Sequence, residues 1–281
     1  MTPYAEGKRW RLYAGDVLRV LPALRDEGLR VGGIVTDPPY SSGGQFRGDR
    51  AGDTNKKYLN SDSKQATYLP QFGGDNRDQR SLERWLGWVF ADLLAVAEPG
   101  AVLACSMDWR NAESAAAVLD VGTLAQTGGW TMRGILPWIK PGARPQIGRW
   151  SSAAEYVLWA SAGPLDDKAR AVLGCLSGYL LASPPSAREH VTEKPAAWAD
   201  WLVGGVMPGA TVLDPFVGSG AVGEAALRSG RRFVGVELVP EYLDIAARRL
   251  AQAEADGVVV PLLPAVEPKP EQTGLFGKGG A

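Results

Sequence analysis

Two short segments hold residue types that can act on an amino group beside a bound ligand. The first is the tetrapeptide Asp-Pro-Pro-Tyr near the N-terminus, and the second is Asp-Pro-Phe-Val-Gly-Ser-Gly at residues 214–220. A carboxylate and a neighbouring proline carbonyl can accept the two N–H hydrogens of an amine, and glycines let a backbone turn approach a ligand closely. The residues of the first segment are Asp37, Pro38, Pro39 and Tyr40.

Alternating strands and helices are predicted to position both segments. Residues 31–36 form an apolar run without strict alternation, which indicates a parallel strand buried on both faces that ends at Asp37. Residues 211–213 predict a strand that ends at Asp214 and is followed by a helix from Ala221. Residues 10–14 predict a further strand, after which Asp16 precedes a helix. Open α/β sheets bind ligands at the carboxyl ends of their strands, which is where these acids fall. The other predicted elements are a turn at Pro99 and Gly100 that leads into a strand at residues 101–106, a helix that ends near residue 124, two strands at 134–138 and 156–160 that could pair as a hairpin, and a helix at 241–250.

The glycine turn alone does not identify a cofactor. The next predicted strand, residues 233–236, ends at Glu237, and an acid there can accept hydrogen bonds from ribose hydroxyls. Glu237 follows Asp214 by 23 residues, which is also the spacing of a nicotinamide-dinucleotide fold. An oxidoreductase would, however, leave the Asp-Pro-Pro-Tyr segment without a role.

The order of the motifs resembles the β class of DNA amino-methyltransferases, whose members place the catalytic tetrapeptide before the cofactor motif. A third match is His-Val-Thr-Glu-Lys-Pro at residues 190–195, just before the cofactor strand, and one departure is Ala221, where relatives commonly have threonine. The resemblance covers about Arg11 to Leu250. It implies a circularly permuted, Rossmann-like α/β methyltransferase fold with a central, mostly parallel sheet, helices on both faces, and S-adenosylmethionine as cofactor.

The resemblance also assigns roles within the site. Four acids would end neighbouring strands and line one cleft, with Glu237 at the ribose and Asp16 near the adenine or ribose. Asp16 could instead be only the N-cap of its helix. Lys194 and His190 would support the methionine carboxylate. The expected cofactor-binding residues are Asp16, Asp37, His190, Lys194, Pro195, Asp214, Pro215, Phe216, Gly218, Ser219, Gly220, Glu237 and Leu238.

Methyl transfer explains why an acid and prolines stand together. An exocyclic amine on a base is a poor nucleophile because its lone pair is delocalised into the ring. Asp37 and the Pro38 carbonyl can localise that pair towards the sulfonium methyl group, so positioning supplies much of the catalysis. Tyr40 would stack on the target base, which must be flipped out of the duplex. The resemblance favours adenine N6, because a serine in the first position is more often found with cytosine.

The expected partner is double-stranded DNA, although the net charge of −1 at first argues against a nucleic-acid partner. Residues 130–154 carry four basic and no acidic side chains, interleaved with Trp138 and Trp150, and could lie against a phosphate backbone or form a solvated hairpin. Residues 41–80 predict a long polar loop, and residues 165–188 are a third candidate for target recognition. The expected DNA contacts are Arg47, Arg50, Lys56, Lys57, Lys140, Arg144 and Arg149.

Composition sets the remaining limits. With 281 residues, 45% of them hydrophobic, the chain can form one catalytic domain at residues 1–255, followed by a poorly structured tail at 256–281. Two cysteines and one histidine match neither a disulfide framework nor a multi-histidine metal centre, so no metal is expected. The first residues lack the apolar core of a signal peptide, and we expect a cytoplasmic protein.

Several alternatives stay open. The same polarising motif could serve N4 methylation of cytosine, an RNA base or a protein amide, although the motif order argues against the last two. A DNA-binding protein that keeps the site without turnover is a further alternative. The resemblance allows a homodimer, and a restriction partner, a phage genome and an orphan regulatory role are all compatible with the sequence.

Overall fold

A nine-stranded mixed sheet organises the part of the chain that the computed structural model describes, namely residues 1–39, 79–107, 130–143, 147–148, 150–165, 167–184 and 194–258. In chain order the strands are β1 (Ala5–Glu6), β2 (Trp10–Ala14), β3 (Val31–Thr36), β4 (Ala97–Met107), β5 (Trp130–Ile139), β6 (Ala154–Ala162), β7 (Leu180–Leu181), β8 (Thr211–Asp214) and β9 (Arg232–Glu237). The helices are α1 (Val17–Asp26), α2 (Gln79–Val96), α3 (Asp167–Leu173), α4 (Ala196–Val203), α5 (Ala221–Arg228) and α6 (Pro240–Asp256).

The sheet is parallel through its centre. Its strand order is β1-β2-β9-β8-β3-β4-β6-β5-β7, and the five strands from β2 to β4 in that order run parallel to one another. Strand β6 is antiparallel to both β4 and β5, so β5 runs in the direction of the central strands. The predicted mostly parallel α/β sheet is confirmed, as is the predicted hairpin of β5 and β6.

Two hydrophobic clusters cover the two faces of the sheet. Neighbouring residues of β3 point to opposite faces, and Ile34 lies in one cluster while Val35 lies in the other. Helices α1 and α2 pack in the first cluster, and α4, α5 and α6 pack in the second. The apolar run of β3 therefore reflects burial on both sides, as the sequence pattern indicates.

Some predicted boundaries were wrong. Strand β4 begins at Ala97 rather than Ala101, and its pairing with β3 shifts register across Pro99 and Gly100, so the predicted turn is an irregularity inside the strand. The last residues of the predicted loop, 79 and 80, form the first turn of α2. Helix α6 continues to Asp256, six residues past the expected end at Leu250. The predicted helix near residue 124, the rest of the loop and most of the tail lie outside the described residues.

The direction of the strands fixes where the functional segments meet. The carboxyl ends of β2, β9, β8 and β3 share one edge of the sheet because these strands are parallel. The connection between β5 and β6, residues 140–153, leaves the sheet at that same edge. We call it the active edge. In the ranges described, none of the helices is long and apolar enough to cross a membrane.

Candidate active site

Four acidic residues stand side by side on the active edge. Each follows or ends a parallel strand, and the strand order places them in one row, which confirms the expectation that they share one edge of the sheet. Along the edge they are Asp16 after β2, Glu237 in β9, Asp214 in β8 and Asp37 after β3.

Asp37 presents one paired and one unpaired oxygen. Its Oδ2 lies 3.0 Å from Nζ of Lys194. Its Oδ1 is buried and has no hydrogen-bond partner among the described residues. Burial raises the pKa of this carboxyl, while Lys194 and a hydrogen bond from Ser106 oppose the rise. An unpaired buried acceptor is costly, and it is therefore suited to receive a donor from a ligand.

Lys194 connects Asp37 to a second acid that the sequence did not single out. Its buried ammonium lies 2.9 Å from Oε2 of Glu155, and the other carboxylate oxygen of Glu155 pairs with Lys140. The two lysine nitrogens lie 5.9 and 5.0 Å from the centre of the Trp138 ring. Burial opposes ionisation of Glu155, but the two lysines outweigh it and lower its pKa to about 2. A chain of alternating charges thus runs from the catalytic motif to the base of the hairpin.

Asp214 is held inside the sheet edge. Its Oδ1 accepts hydrogen bonds from Oγ1 of Thr36 at 2.8 Å and from the backbone N–H of Phe216 at 3.0 Å. Burial raises the pKa of Asp214 to about 7 in spite of these bonds, and the neighbouring acids Asp37 and Glu237 add to the rise. Asp214 therefore carries a proton at a pH at which an exposed aspartate is ionised.

This raised pKa predicts a pH-dependent cost to stability. The folded protein holds the Asp214 proton up to about pH 7, whereas the unfolded chain releases it near the ordinary aspartate pKa of 3.8, so stability falls as pH rises between these two values. We expect Asp214→Asn to raise the free energy of unfolding of the ligand-free protein at pH 8 by a few kcal/mol at most, on the order of the linkage energy. The gain should vanish below about pH 4, where both forms are uncharged.

Thermal unfolding of wild type and variant at pH 4, 6 and 8 measures this effect. The matched control is Asp26→Asn, which removes an exposed carboxylate at the far end of α1. Equal melting temperatures for wild type and Asp214→Asn at pH 8 would show that Asp214 is ionised in the fold without cost.

The glycine turn is shaped for close approach. Gly218 and Gly220 have φ angles of +52° and +87°, in the left-handed region. A Cβ at Gly220 would lie 3.1 Å from both Cα and Cβ of Ala246 in α6. Ser219 between them is buried, and both its carbonyl and its hydroxyl oxygen accept hydrogen bonds from Arg249. Helix α5 thus starts directly after Gly220, where a larger residue would meet both an unfavourable φ and Ala246 of α6.

Glu237 fixes this turn to the next strand. Its Oε2 accepts the backbone N–H of Gly218 at 2.9 Å, and its Oε1 accepts those of Leu238 and Val239 at 2.8 and 2.9 Å. Burial raises the pKa of Glu237, and the three backbone donors oppose the rise. The side chain of Glu237, the residue predicted to bind the ribose, is therefore already oriented by these backbone groups, and Oε2 keeps a lone pair for a ligand hydroxyl.

The other predicted cofactor residues surround this turn. Phe216 is half-buried with its ring centre 5.4 Å from that of Trp85, so it belongs partly to the core. Asp16 is exposed and caps α1 through the N–H of Leu18 at 2.8 Å, as its N-cap interpretation predicts. Leu238 is exposed, and buried Pro195 directly precedes α4.

Several predicted site residues lie outside the described residues. They are Tyr40, Arg47, Arg50, Lys56, Lys57, Arg144, Arg149 and His190. Of the predicted DNA contacts, Lys140 is described, and it pairs with Glu155 at the base of the hairpin. The described residues hold no group of three or more His, Cys, Asp and Glu side chains that could bind a metal ion.

The chemistry of this edge fits S-adenosylmethionine. That molecule combines ribose hydroxyls, an ammonium group and a sulfonium, and the edge offers the carboxylate of Glu237, the carboxyl group of Asp214 and a glycine turn. A Cβ at Gly220 would press against Ala246 of α6, so glycine lets the turn and α5 lie this close to α6. The unpaired Oδ1 of Asp37 lies directly after the neighbouring strand, β3.

Comparisons with known proteins agree with this arrangement. A family model described as DNA methylase matches residues 174–248, which contain the glycine turn. The type II methyltransferase M2.DpnII of Streptococcus pneumoniae is 26% identical over 275 residues, which span 88% of this chain and 92% of that protein. The matches support an S-adenosylmethionine-dependent DNA amino-methyltransferase.

Solved structures show the same fold. The M1.HpyAVI–SAM complex covers 86% of this chain and 98% of its own, with a TM-score of 0.59 at 22% identity. The PvuII DNA methyltransferase, which is cytosine-N4-specific, covers 88% of each chain with a TM-score of 0.60 at 17% identity. The chain therefore has an α/β methyltransferase fold, and the choice between adenine and cytosine does not follow from the fold.

Proposed function

We propose that this chain transfers a methyl group from S-adenosylmethionine to the N6 amine of adenine in double-stranded DNA, after the base has been flipped out. The observation that carries the proposal is the buried, unpaired Oδ1 of Asp37 beside the glycine-turn strand. An exocyclic amine brings the N–H donor that this oxygen lacks.

The residues at the end of β3 account for the activation of the amine. S-adenosylmethionine supplies an electrophilic methyl group on a positively charged sulfur. Oδ1 of Asp37 and the carbonyl of Pro38 accept the two amine hydrogens and direct the nitrogen lone pair towards that methyl carbon. As the N–C bond forms, the C–S bond breaks and its electron pair stays on sulfur, giving a neutral thioether.

The surplus proton on the methylated nitrogen then needs an acceptor. Asp37 stands in hydrogen-bond reach of that nitrogen in this arrangement, and burial raises its pKa, so its carboxylate accepts a proton more readily than an exposed aspartate does. Water is the final acceptor when Asp37 ionises again. The reaction balances without a covalent enzyme intermediate.

The hairpin on the active edge is one described part of the proposed DNA surface. Its connection carries Ile147 and Trp150, whose exposed fractions are 104% and 97%, and Lys140 stands at its base. Exposed apolar and aromatic side chains beside cations suit contact with unstacked bases and phosphates. Because the connection leaves the sheet on the edge that holds Asp37, DNA bound there lies beside the catalytic motif.

A circular permutation accounts for the order of the motifs. Strand β2, near the N-terminus, pairs in parallel with β9, near the C-terminus. Joining α6 to β2 would therefore give an uninterrupted series of strand–helix units that starts at the cofactor strand β8. This relation supports the β-class assignment.

Purified protein tests the proposed function in two steps. S-adenosylhomocysteine should raise the melting temperature, whereas NADH should not, because the site is built for a methyl donor. Incubation with methyl-labelled cofactor and unmethylated duplex DNA, followed by digestion to nucleosides, should then yield labelled N6-methyladenine. Labelled N4-methylcytosine would keep the mechanism and change the base, and a label in neither nucleoside would reject the proposal.

A further inference from the structure

Lys194 is too flexible to hold one position by itself. A lysine ammonium is a compact charge on a four-carbon stem, and a buried one must be paired. The side chain of Lys194 is 8% exposed, and its nitrogen bridges Oδ2 of Asp37 and Oε2 of Glu155 at 3.0 and 2.9 Å. Two carboxylates on different strands fix the ammonium between them.

Glu155 is itself held rigidly. It is the single charged residue of β6, and within the hairpin ladder it stands opposite Trp138. Its second oxygen is occupied by Lys140. The position of Glu155 is thus set by the sheet, and the position of Lys194 follows from that of Glu155.

We propose that Glu155 is a positioning residue for methyl transfer: it holds Lys194 on Oδ2 of Asp37, so that Oδ1 remains available to the target amine. This inference rests on the proposed function. Without Glu155, the ammonium of Lys194 would lose the carboxylate that holds it on the Oδ2 side of Asp37, and it would be drawn towards both oxygens of Asp37. The acceptor that the amine needs would then be blocked or turned away.

The same geometry sets the pKa of Asp37, because Lys194 lies between the carboxylates of Asp37 and Glu155. Burial raises the pKa of Asp37, Lys194 and Ser106 lower it, and Glu155 raises it. Asp214 from β8 and the thiol of Cys105 from β4 also face this carboxyl. Removing the charge of Glu155 lowers the pKa of Asp37, because the negative charge of Glu155 then no longer raises it. Removing the charge of Lys194 raises it.

Opposite shifts of the pH profile test the inference. Single-turnover rates on duplex DNA are measured against pH for wild type, Glu155→Gln, Lys194→Met and the control Glu254→Gln. Glu254 is a half-buried acid at the far end of α6, where it accepts the backbone N–H groups of Lys8 and Arg9. At low pH the rate should fall as Asp37 becomes protonated, and we call this part of the pH–rate profile the acid limb. We expect the acid limb of Glu155→Gln to lie at lower pH than that of wild type and the acid limb of Lys194→Met to lie at higher pH, each by at least about half a pH unit.

The plateau rates complete the test. Glu155→Gln should lose roughly tenfold or more in rate from misplacement of the acceptor, with the KM for DNA changed less than about threefold. Glu254→Gln should have the same plateau rate as wild type and an acid limb at the same pH. Acid limbs that coincide with wild type in both variants, or that move in the same direction, would overturn the inference and leave Glu155 with a structural role alone.

Two further measurements cover failure of folding or of turnover. If Glu155→Gln does not fold, Glu155→Asp replaces it, because the shorter side chain keeps the charge but moves the carboxylate away from Lys194 by one methylene group. Glu155→Asp should lower the plateau rate and leave the acid limb at the same pH as in wild type. A plateau rate equal to that of wild type would overturn the inference. If the wild type transfers no methyl group, the proposed function fails, but the pKa of Asp37 can still be measured by NMR titration. The Asp37 carboxyl signal is identified by its loss in Asp37→Asn, and its pKa should be lower in Glu155→Gln and higher in Lys194→Met than in wild type.

Discussion

Asp37→Asn is expected to lower the rate of methyl transfer by about 10³-fold or more, because it removes both the charge that activates the amine and the proton acceptor. The asparagine amide is nearly isosteric, and Lys194 keeps its pairing with Glu155, so the fold should persist. Binding of S-adenosylhomocysteine should change by less than about threefold, since the loss is confined to the step that uses the amine.

Single-turnover kinetics and calorimetric binding separate these two effects. The control is Asp256→Asn, which removes an exposed carboxylate at the end of α6 that lies away from the active edge. A rate for Asp37→Asn within tenfold of wild type would contradict the assigned role of Asp37. Equal losses of rate and of ligand binding would instead show that Asp37 serves the cofactor rather than the amine.

Gly220→Ala is expected to give the largest loss of cofactor binding and stability among the glycine substitutions of the turn. A φ of +87° costs an alanine about 1–2 kcal/mol, and the added Cβ lies 3.1 Å from the backbone Cα of Ala246, so α5 and α6 must move apart. We expect the free energy of unfolding to fall by about 2 kcal/mol or more and the affinity for S-adenosylhomocysteine to fall at least about tenfold.

Gly28→Ala is the matched control. Gly28 has a φ of +85° with no atom within 4 Å of an added Cβ, and it follows the end of α1 that points away from the active edge. It should therefore show the conformational cost alone, about 1–2 kcal/mol, with ligand affinity unchanged. If Gly220→Ala and Gly28→Ala lower the free energy of unfolding equally, the close contact with Ala246 does not contribute to the cost of a Cβ at Gly220.

The sequence predicts the central strands and the row of acids well, for a physical reason. Strands such as β3 and β8 are buried on both faces, so their apolar runs are unambiguous, and their carboxyl ends must share an edge because they are parallel. Boundaries were predicted less well. Pro99 and Gly100 predict a turn before the strand, but in the structure they lie inside β4, where the pairing with β3 shifts register.

The partners of the catalytic acid could not be predicted in the same way. Glu155 and Asp37 are 118 positions apart in sequence, and their connection through Lys194 depends on the antiparallel register of β6 against β4. One signal was present: Glu155 is the lone charge in an otherwise uncharged strand, and a charge within a half-buried strand needs a partner. Thr36, which donates to Asp214, gave no comparable signal because a threonine is an ordinary strand residue.

The most direct test of the central claim is the methylation state of DNA exposed to this protein in a cell. Wild type and Asp37→Ala are expressed in a host that lacks DNA methylation, and the genomic DNA is sequenced by a method that detects modified adenine and cytosine directly. The proposed function predicts N6-methyladenine at one short sequence in the wild-type sample and none in the Asp37→Ala sample. Unmodified DNA from cells that contain folded wild-type protein able to bind S-adenosylmethionine would contradict it.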